Sequence, residues 1–232
     1  MRQFPRDEHP GKVCISIGER APGKAIQALK EANHLADMIE LRADFLKTPP
    51  LQPFLAERKK PLIVTHRRKE EGGGYEGNEE DRLAVLREAI HLGTDFIDVE
   101  LKSKGSILQD LISHRESTRI ILSVHDFRRT PPLRELRGLC RRMVDRGAEV
   151  VKIVTFARTF EDNLRILALI PYARERKQEI VAFAMGDKGR MSRVFSPLMG
   201  AAWTYASLRP RKSSAPGQLT ILELKEIWKK LK

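Results

Sequence analysis

Short apolar runs and amphipathic stretches alternate along the chain. Eight runs, at residues 12–17, 38–42, 61–66, 95–101, 119–124, 150–155, 180–185 and 201–206, are mostly rich in Val and Ile and too short for helices, so they read as strands. Between them, apolar positions recur at helical spacing in 25–36, 79–92, 133–146, 160–177 and 217–231. Ile107, Leu108, Leu111 and Ile112 mark a shorter helix, another follows Met191, and 49–58 has the weakest helical pattern. Asn78 suits an N-cap, and Glu79, Glu80 and Asp81 after it suit the positive end of a helix dipole. Pro131 and Pro132 precede the helix at 133–146, and Gly147 is placed to stop it. In the last helix, Leu224, Ile227, Trp228 and Leu231 fall on one face.

Strands apolar on both faces, each followed by a helix, predict a parallel sheet covered by helices. Eight such strands close a barrel, and 232 residues allow about 29 per strand–helix unit. The expected architecture is therefore an α/β fold, a (β/α)8 TIM barrel forming a single catalytic domain over residues 1–232. A doubly wound open sheet is the alternative, but Gly18-Glu19-Arg20-Ala21-Pro22-Gly23 after the first strand matches a dinucleotide-binding turn poorly.

Hydrophobic residues at 41% and charged residues at 32% exclude a disordered chain and allow a sizeable core. No apolar run approaches the roughly 18 residues of a membrane span, and the N-terminal residues lack the apolar stretch of a signal peptide. Cys14 and Cys140 have no paired spacing, so neither a disulfide framework nor a zinc cluster is expected, and a reducing cytoplasm fits. The net charge of +12 suits nucleic acid, an acidic membrane or an anionic small substrate. The charges are spread rather than blocked, and aromatics at 6% are thin for base stacking, so nucleic-acid binding is the minor reading.

A barrel places its chemistry at the C-terminal ends of the strands. On the second strand, Glu40 and Arg42 followed by Asp44 share a face by period two, either as a functional set or as a structural ion pair at the barrel mouth. The third strand leads into Thr65-His66-Arg67-Arg68-Lys69-Glu70-Glu71 and three glycines. There Arg67 and Glu71 lie nearest the expected pocket, while residues 68–70 read as solvated loop. His125 ends the fifth strand as a candidate acid and base. Lys152 sits inside Val150-Val151-Lys152-Ile153-Val154, where it must point into the barrel, either as a desolvated nucleophile or paired with Glu40 or another carboxylate. Loops 186–193 and 209–218 carry arginines and lysines suited to an anion, or serve as ordinary basic loops.

IELRAD at 39–44, THRRKEEGG at 65–73, SVHDF at 123–127, VKIVTFA at 151–157, Ser192-Arg193 and SAPGQ at 214–218 together resemble the type I 3-dehydroquinate dehydratases. The motifs run in register over nearly the whole chain; each alone is weak, and six in order are specific. The resemblance implies a shikimate-pathway lyase that converts 3-dehydroquinate to 3-dehydroshikimate and water through an imine. It implies Lys152 as the Schiff-base lysine, His125 as the general acid and base, and Glu71 as the acid supporting the histidine. Glu40, Arg42, Arg67, Arg193, Ser214 and Gln218 match substrate contacts, and Ser16 a further polar contact. His66 stands where many relatives have an aromatic residue. The resemblance implies neither metal nor organic cofactor, no nucleic-acid or membrane partner, and a homodimer as a candidate assembly. A class I Schiff-base aldolase is the alternative enzyme, sharing the barrel and lysine but breaking a C–C bond.

Overall fold

The computed structural model of the protein describes residues 11–47, 49–210 and 215–231. All eight apolar runs are strands: β1 (Val13–Ile17), β2 (Met38–Arg42), β3 (Leu62–Thr65), β4 (Phe96–Glu100), β5 (Arg119–His125), β6 (Val150–Phe156), β7 (Glu179–Met185) and β8 (Thr204–Ala206). They pair in parallel in the order β7-β6-β5-β4-β3-β2-β1-β8. Between the two ends of that order, Ala202 N donates to Ile180 O at 2.8 Å, which brings the approach to β8 against β7. The result is a nearly closed (β/α)8 barrel, as the strand count predicts.

The helices are α1 (Pro22–Leu35), α2 (Leu51–Glu57), α3 (Glu79–His91), α4 (Gly105–Ser113), α5 (Leu133–Asp145), α6 (Asp162–Leu167), α7 (Leu169–Glu175), α8 (Arg190–Leu198) and α9 (Ile221–Lys230). Asn78 caps α3 by accepting from Asp81 N at 2.8 Å. The single helix expected over 160–177 is two helices that meet at Ala168. Pro171 explains the break: it has no N–H for the carbonyl of Leu167, and it sits instead in the first turn of α7, where none is needed. The last helix starts at Ile221 rather than 217, because Thr220 and Glu223 form a capping box. Its buried face is Ile221, Leu224 and Trp228, while Leu231, expected on that face, lies past the helix end and is exposed.

Two apolar clusters follow from the closure. The larger lies between strands and helices, where Leu29, Leu41, Phe54 and Leu83 are fully buried. Each such side chain contributes about 1.5–3 kcal/mol by leaving water. The smaller fills the barrel, with Cys14, Met38, Ile63, Phe96, Ile121 and Trp203 towards the N-terminal ends of their strands. One step further along the same inward faces, Ser16, Glu40, Thr65, Asp98, Ser123 and Lys152 are buried too. The barrel interior is thus apolar at one pole and densely ionic at the other.

Candidate active site

The ionic layer is organised around Lys152. Its ammonium lies 2.8 Å from Asp98 Oδ2, 3.1 Å from Glu40 Oε1 and 3.0 Å from the Tyr205 hydroxyl, matching the three donors of an ammonium group. The lysine is therefore paired with Glu40, as one reading of the sequence had it, and it also lines the cavity. Glu40 is held by Ser16 Oγ at 2.6 Å on one oxygen and by Thr65 Oγ1 at 3.0 Å on the other. Burial pushes the Glu40 carboxyl up, but Lys152 and Arg42 outweigh it and the net direction is down.

Arg67, just past β3, closes the next shell. Its guanidinium reaches Asp98 at 2.7 Å, Ser123 Oγ at 2.8 Å and Glu100 at 3.3 Å. Ser123 in turn donates to Asp98 Oδ1 at 2.6 Å. Burial alone would raise Asp98, yet Arg67 and Lys152 hold it well below the usual carboxylate range. Behind this pair, the fully buried Arg82 takes Glu100 at 2.8 Å and the carbonyl of His66 at 2.9 Å. His66 itself packs on the Tyr75 ring.

The glycine-bearing loop after β3 is anchored rather than free. Arg42 forms a two-point pair with Asp44, at 2.9 and 2.7 Å, which is the ion pair at the barrel mouth that the sequence left as one option. Asp44 also accepts from Gly74 N at 2.9 Å, and Arg42 donates to Gly72 O at 3.3 Å. Gly72 has φ of +76°, and a Cβ there would lie 2.4 Å from the Phe127 ring, so only glycine fits. This turn delivers Glu71 to His125, with Oε2 and Nδ1 3.5 Å apart. That is just beyond a hydrogen bond, and both atoms are buried with no other hydrogen-bond partner. Burial, then the cations Arg67 and Lys152, push His125 well below its usual value, so the imidazole is neutral at pH 7. Burial also drives Glu71 up to about 7 against the opposing charge of Arg67. The contact is therefore a tunable carboxyl beside a neutral imidazole, not an ion pair.

Arg193, on α8, presents the opposite case. It is buried over the Phe183 ring at 4.3 Å, and its one hydrogen bond among the described residues is to Pro216 O at 3.4 Å. Nε has no partner, and among the described residues no carboxylate pairs with this side chain. Burial pushes it down to about 9, still cationic at neutral pH. Gly217 beside it needs its φ of +73°, since a Cβ would meet Gly186 O at 2.2 Å.

One cavity joins these groups. Glu40, Arg42, Arg67, Glu71, His125, Lys152, Arg193 and Gln218 all line it. Ser16 lies behind Glu40, off the wall. Ser214 falls outside the described residues. Arg68, expected in solvated loop, is half-buried and bound to Glu79 at 2.7 Å. Sequence reasoning did not single out Asp98, Glu100 or Tyr205. The two acids repeat the period-two signal of Glu40 and Arg42 in another apolar strand; Tyr205 carries no such signal, because a barrel tyrosine reads as core. Among the described residues, no group of three or more His, Cys, Asp or Glu is arranged to hold a metal ion, and no helix is long and apolar enough to cross a membrane.

Comparison with known proteins gives one answer. Residues 13–232 match the family model for type I 3-dehydroquinase. The 3-dehydroquinate dehydratase of Desulfotalea psychrophila is 37% identical over 223 residues, spanning 95% of this chain and 98% of that protein. Its counterpart from Pyrococcus abyssi is 40% identical over 206 residues, 89% and 92% of the two chains. Among solved structures, the 3-dehydroquinate dehydratase of Geobacillus kaustophilus superposes with a TM-score of 0.88 at 26% identity, over 95% of this chain and 91% of that one. The type I enzyme of Clostridium difficile, solved with covalently modified comenic acid, gives 0.86 at 26% identity, over 95% and 92%.

Proposed function

The chain belongs to the type I 3-dehydroquinase family and is a hydro-lyase, a 3-dehydroquinate dehydratase of the shikimate pathway; we propose that it works through an imine on Lys152 with His125 as acid and base. One observation carries the reading: a cavity that holds a lysine, a neutral histidine and a buried arginine without a carboxylate partner. The covalent adduct in the Clostridium difficile relative is consistent with covalent chemistry in this fold.

In this mechanism Arg193 grips the substrate carboxylate with its guanidinium fork. Lys152 attacks the ring ketone, and loss of water gives a cationic imine. That imine is a stronger electron sink than the ketone and acidifies the adjacent C–H. Neutral His125 takes the proton. The electron pair then expels the β-hydroxyl, and His125 returns a proton to the departing oxygen. Water finally cleaves the imine, freeing product and lysine. Glu71 steadies the imidazole, more closely once substrate excludes water. Glu40, Arg42, Gln218 and Ser214 are assigned to the ring hydroxyls, with Arg67 bracing Asp98 and Glu100 beside the cavity and Ser16 orienting Glu40. The free, buried Cys14 and Cys140 suit a cytoplasmic setting.

Borohydride trapping tests the assignment. A C=N bond accepts hydride and becomes a stable secondary amine. Reagent plus 3-dehydroquinate is expected to inactivate the enzyme and add the reduced ligand to the peptide containing Lys152, while reagent alone leaves activity intact. Label on another lysine, or none in an enzyme that still forms the conjugated enone, would overturn it. Retro-aldol products without water loss would favour the aldolase.

A further inference from the structure

Of the three groups around Lys152 Nζ, two are carboxylates that only accept protons. The third, the Tyr205 hydroxyl, both accepts and donates. It lies 3.0 Å from Nζ and 3.3 Å from Glu40 Oε1, so it bridges the amine and the carboxylate. Tyr205 is buried, lines the cavity, and has its ring 4.3 Å from Nζ and 5.9 Å from the Phe183 ring, which fixes the hydroxyl in place. Asp98 is unsuited to take protons from Lys152, because Arg67 holds the same oxygen at 2.7 Å and keeps the group ionised. Glu40 differs. Its low value depends on the Lys152 charge, and once the ammonium gives up a proton, burial favours the neutral carboxyl.

We propose that the Tyr205 hydroxyl is a catalytic proton relay for making and breaking the imine, passing N–H protons of Lys152 to Glu40 and on to the substrate's carbonyl oxygen. The relay rests on the reading of Lys152 as nucleophile. Overall, ammonium and ketone give cationic imine and water. As one N–H proton leaves through Tyr205, the nitrogen lone pair forms the C–N bond and the carbonyl π pair moves to oxygen. That oxygen takes the first proton and becomes a hydroxyl. A second N–H proton follows the same path, the nitrogen pair forms C=N, and the C–O bond breaks to release water. One proton stays on the imine nitrogen, and Tyr205 and Glu40 end as they began. Hydrolysis runs the sequence backwards.

Tyr205→Phe removes one oxygen and keeps the ring. Wild type and variant are mixed with 3-dehydroquinate, quenched with borohydride at increasing times, and the Lys152 adduct is counted by mass spectrometry. Adduct formation is expected to slow at least about tenfold, short of the roughly hundredfold effect of a sole acid–base group, because Glu40 still touches Nζ directly at 3.1 Å. Ligand affinity and melting temperature are expected to stay near wild type. A solvent deuterium isotope effect on adduct formation is expected in the wild type and should shrink in the variant. Adduct formation at the wild-type rate in Tyr205→Phe, or no isotope effect in the wild type, overturns the relay. If the wild type dehydrates substrate without ever forming an adduct, the Lys152 reading falls and takes the relay with it; an adduct in both proteins at equal rates removes the relay alone.

Discussion

Two buried arginines face one cavity from opposite sides of the barrel. Arg67, after β3, is saturated by Asp98, Glu100 and Ser123. Arg193, after β7, has an aromatic ring beneath it and a backbone carbonyl beside it. Their environments push them in opposite directions: the acids raise Arg67 despite its burial, while burial lowers Arg193. A charge taken out of water needs compensation. On one side the fold supplies it; on the other, in the proposed mechanism, the substrate carboxylate does. On that proposal the same residue type does two jobs, framework and receptor, and its partners distinguish them.

Arg67→Ala should give the larger effect, on stability. It strands Asp98 and Glu100 in a dry interior, with only Lys152 and Arg82 left to balance them. Breaking a buried pair in this way costs about 3–5 kcal/mol, roughly 6–20 °C in melting temperature for a protein of this size. Thermal or urea unfolding measures it, and a variant within about 1 kcal/mol of wild type would show that the network is not structural.

Arg193→Ala should leave stability near wild type or raise it, because it removes an uncompensated charge. Its loss should appear in binding, at about 2–4 kcal/mol for a buried ion pair with the substrate, a roughly thirtyfold to thousandfold rise in KM. Product at about a hundred times its Kd stabilises a binding-competent protein by about 2.7 kcal/mol; at the same concentration the variant should keep less than about 1 kcal/mol of that stabilisation. Unchanged KM, or an equal thermal shift in both proteins, would move the carboxylate site elsewhere.

How far the sequence foretold this contrast depends on the residue. Lys152 and Glu40 were legible because a charge within an apolar strand has to turn inwards. Arg67 and Arg193 were both legible as cavity arginines, but not as opposites. That difference lies in Asp98 and Glu100, more than thirty residues from Arg67 along the chain, and pairing at that separation is set by strand register. The barrel itself was readable from eight runs and their spacing. The split at Ala168 was foreshadowed by Pro171, whereas the start of α9 was decided by Thr220 and Glu223 rather than by the apolar pattern.

Glu71 gives the sharpest test, because it is the acidic counterpart of Arg193 on the otherwise compensated side. Desolvation outweighs the pull of Arg67 and carries its carboxyl from 4.5 to about 7 in the folded protein. A raised carboxyl contributes stability that is fully present below its unfolded value and is lost as pH rises through the folded one. Wild type should therefore lose stability between about pH 4.5 and 7 relative to Glu71→Gln, whose amide does not titrate. Above pH 7 the change should level off at about 3 kcal/mol in favour of the variant, roughly 6–12 °C in melting temperature. The stabilised variant should also be the poorer catalyst, since a carboxylate beside His125 Nδ1 has been replaced by a group that cannot carry the charge. Melting curves of the two proteins that run parallel from pH 4 to 8 would show that Glu71 ionises as freely as a surface carboxylate, and would end its likeness to Arg193.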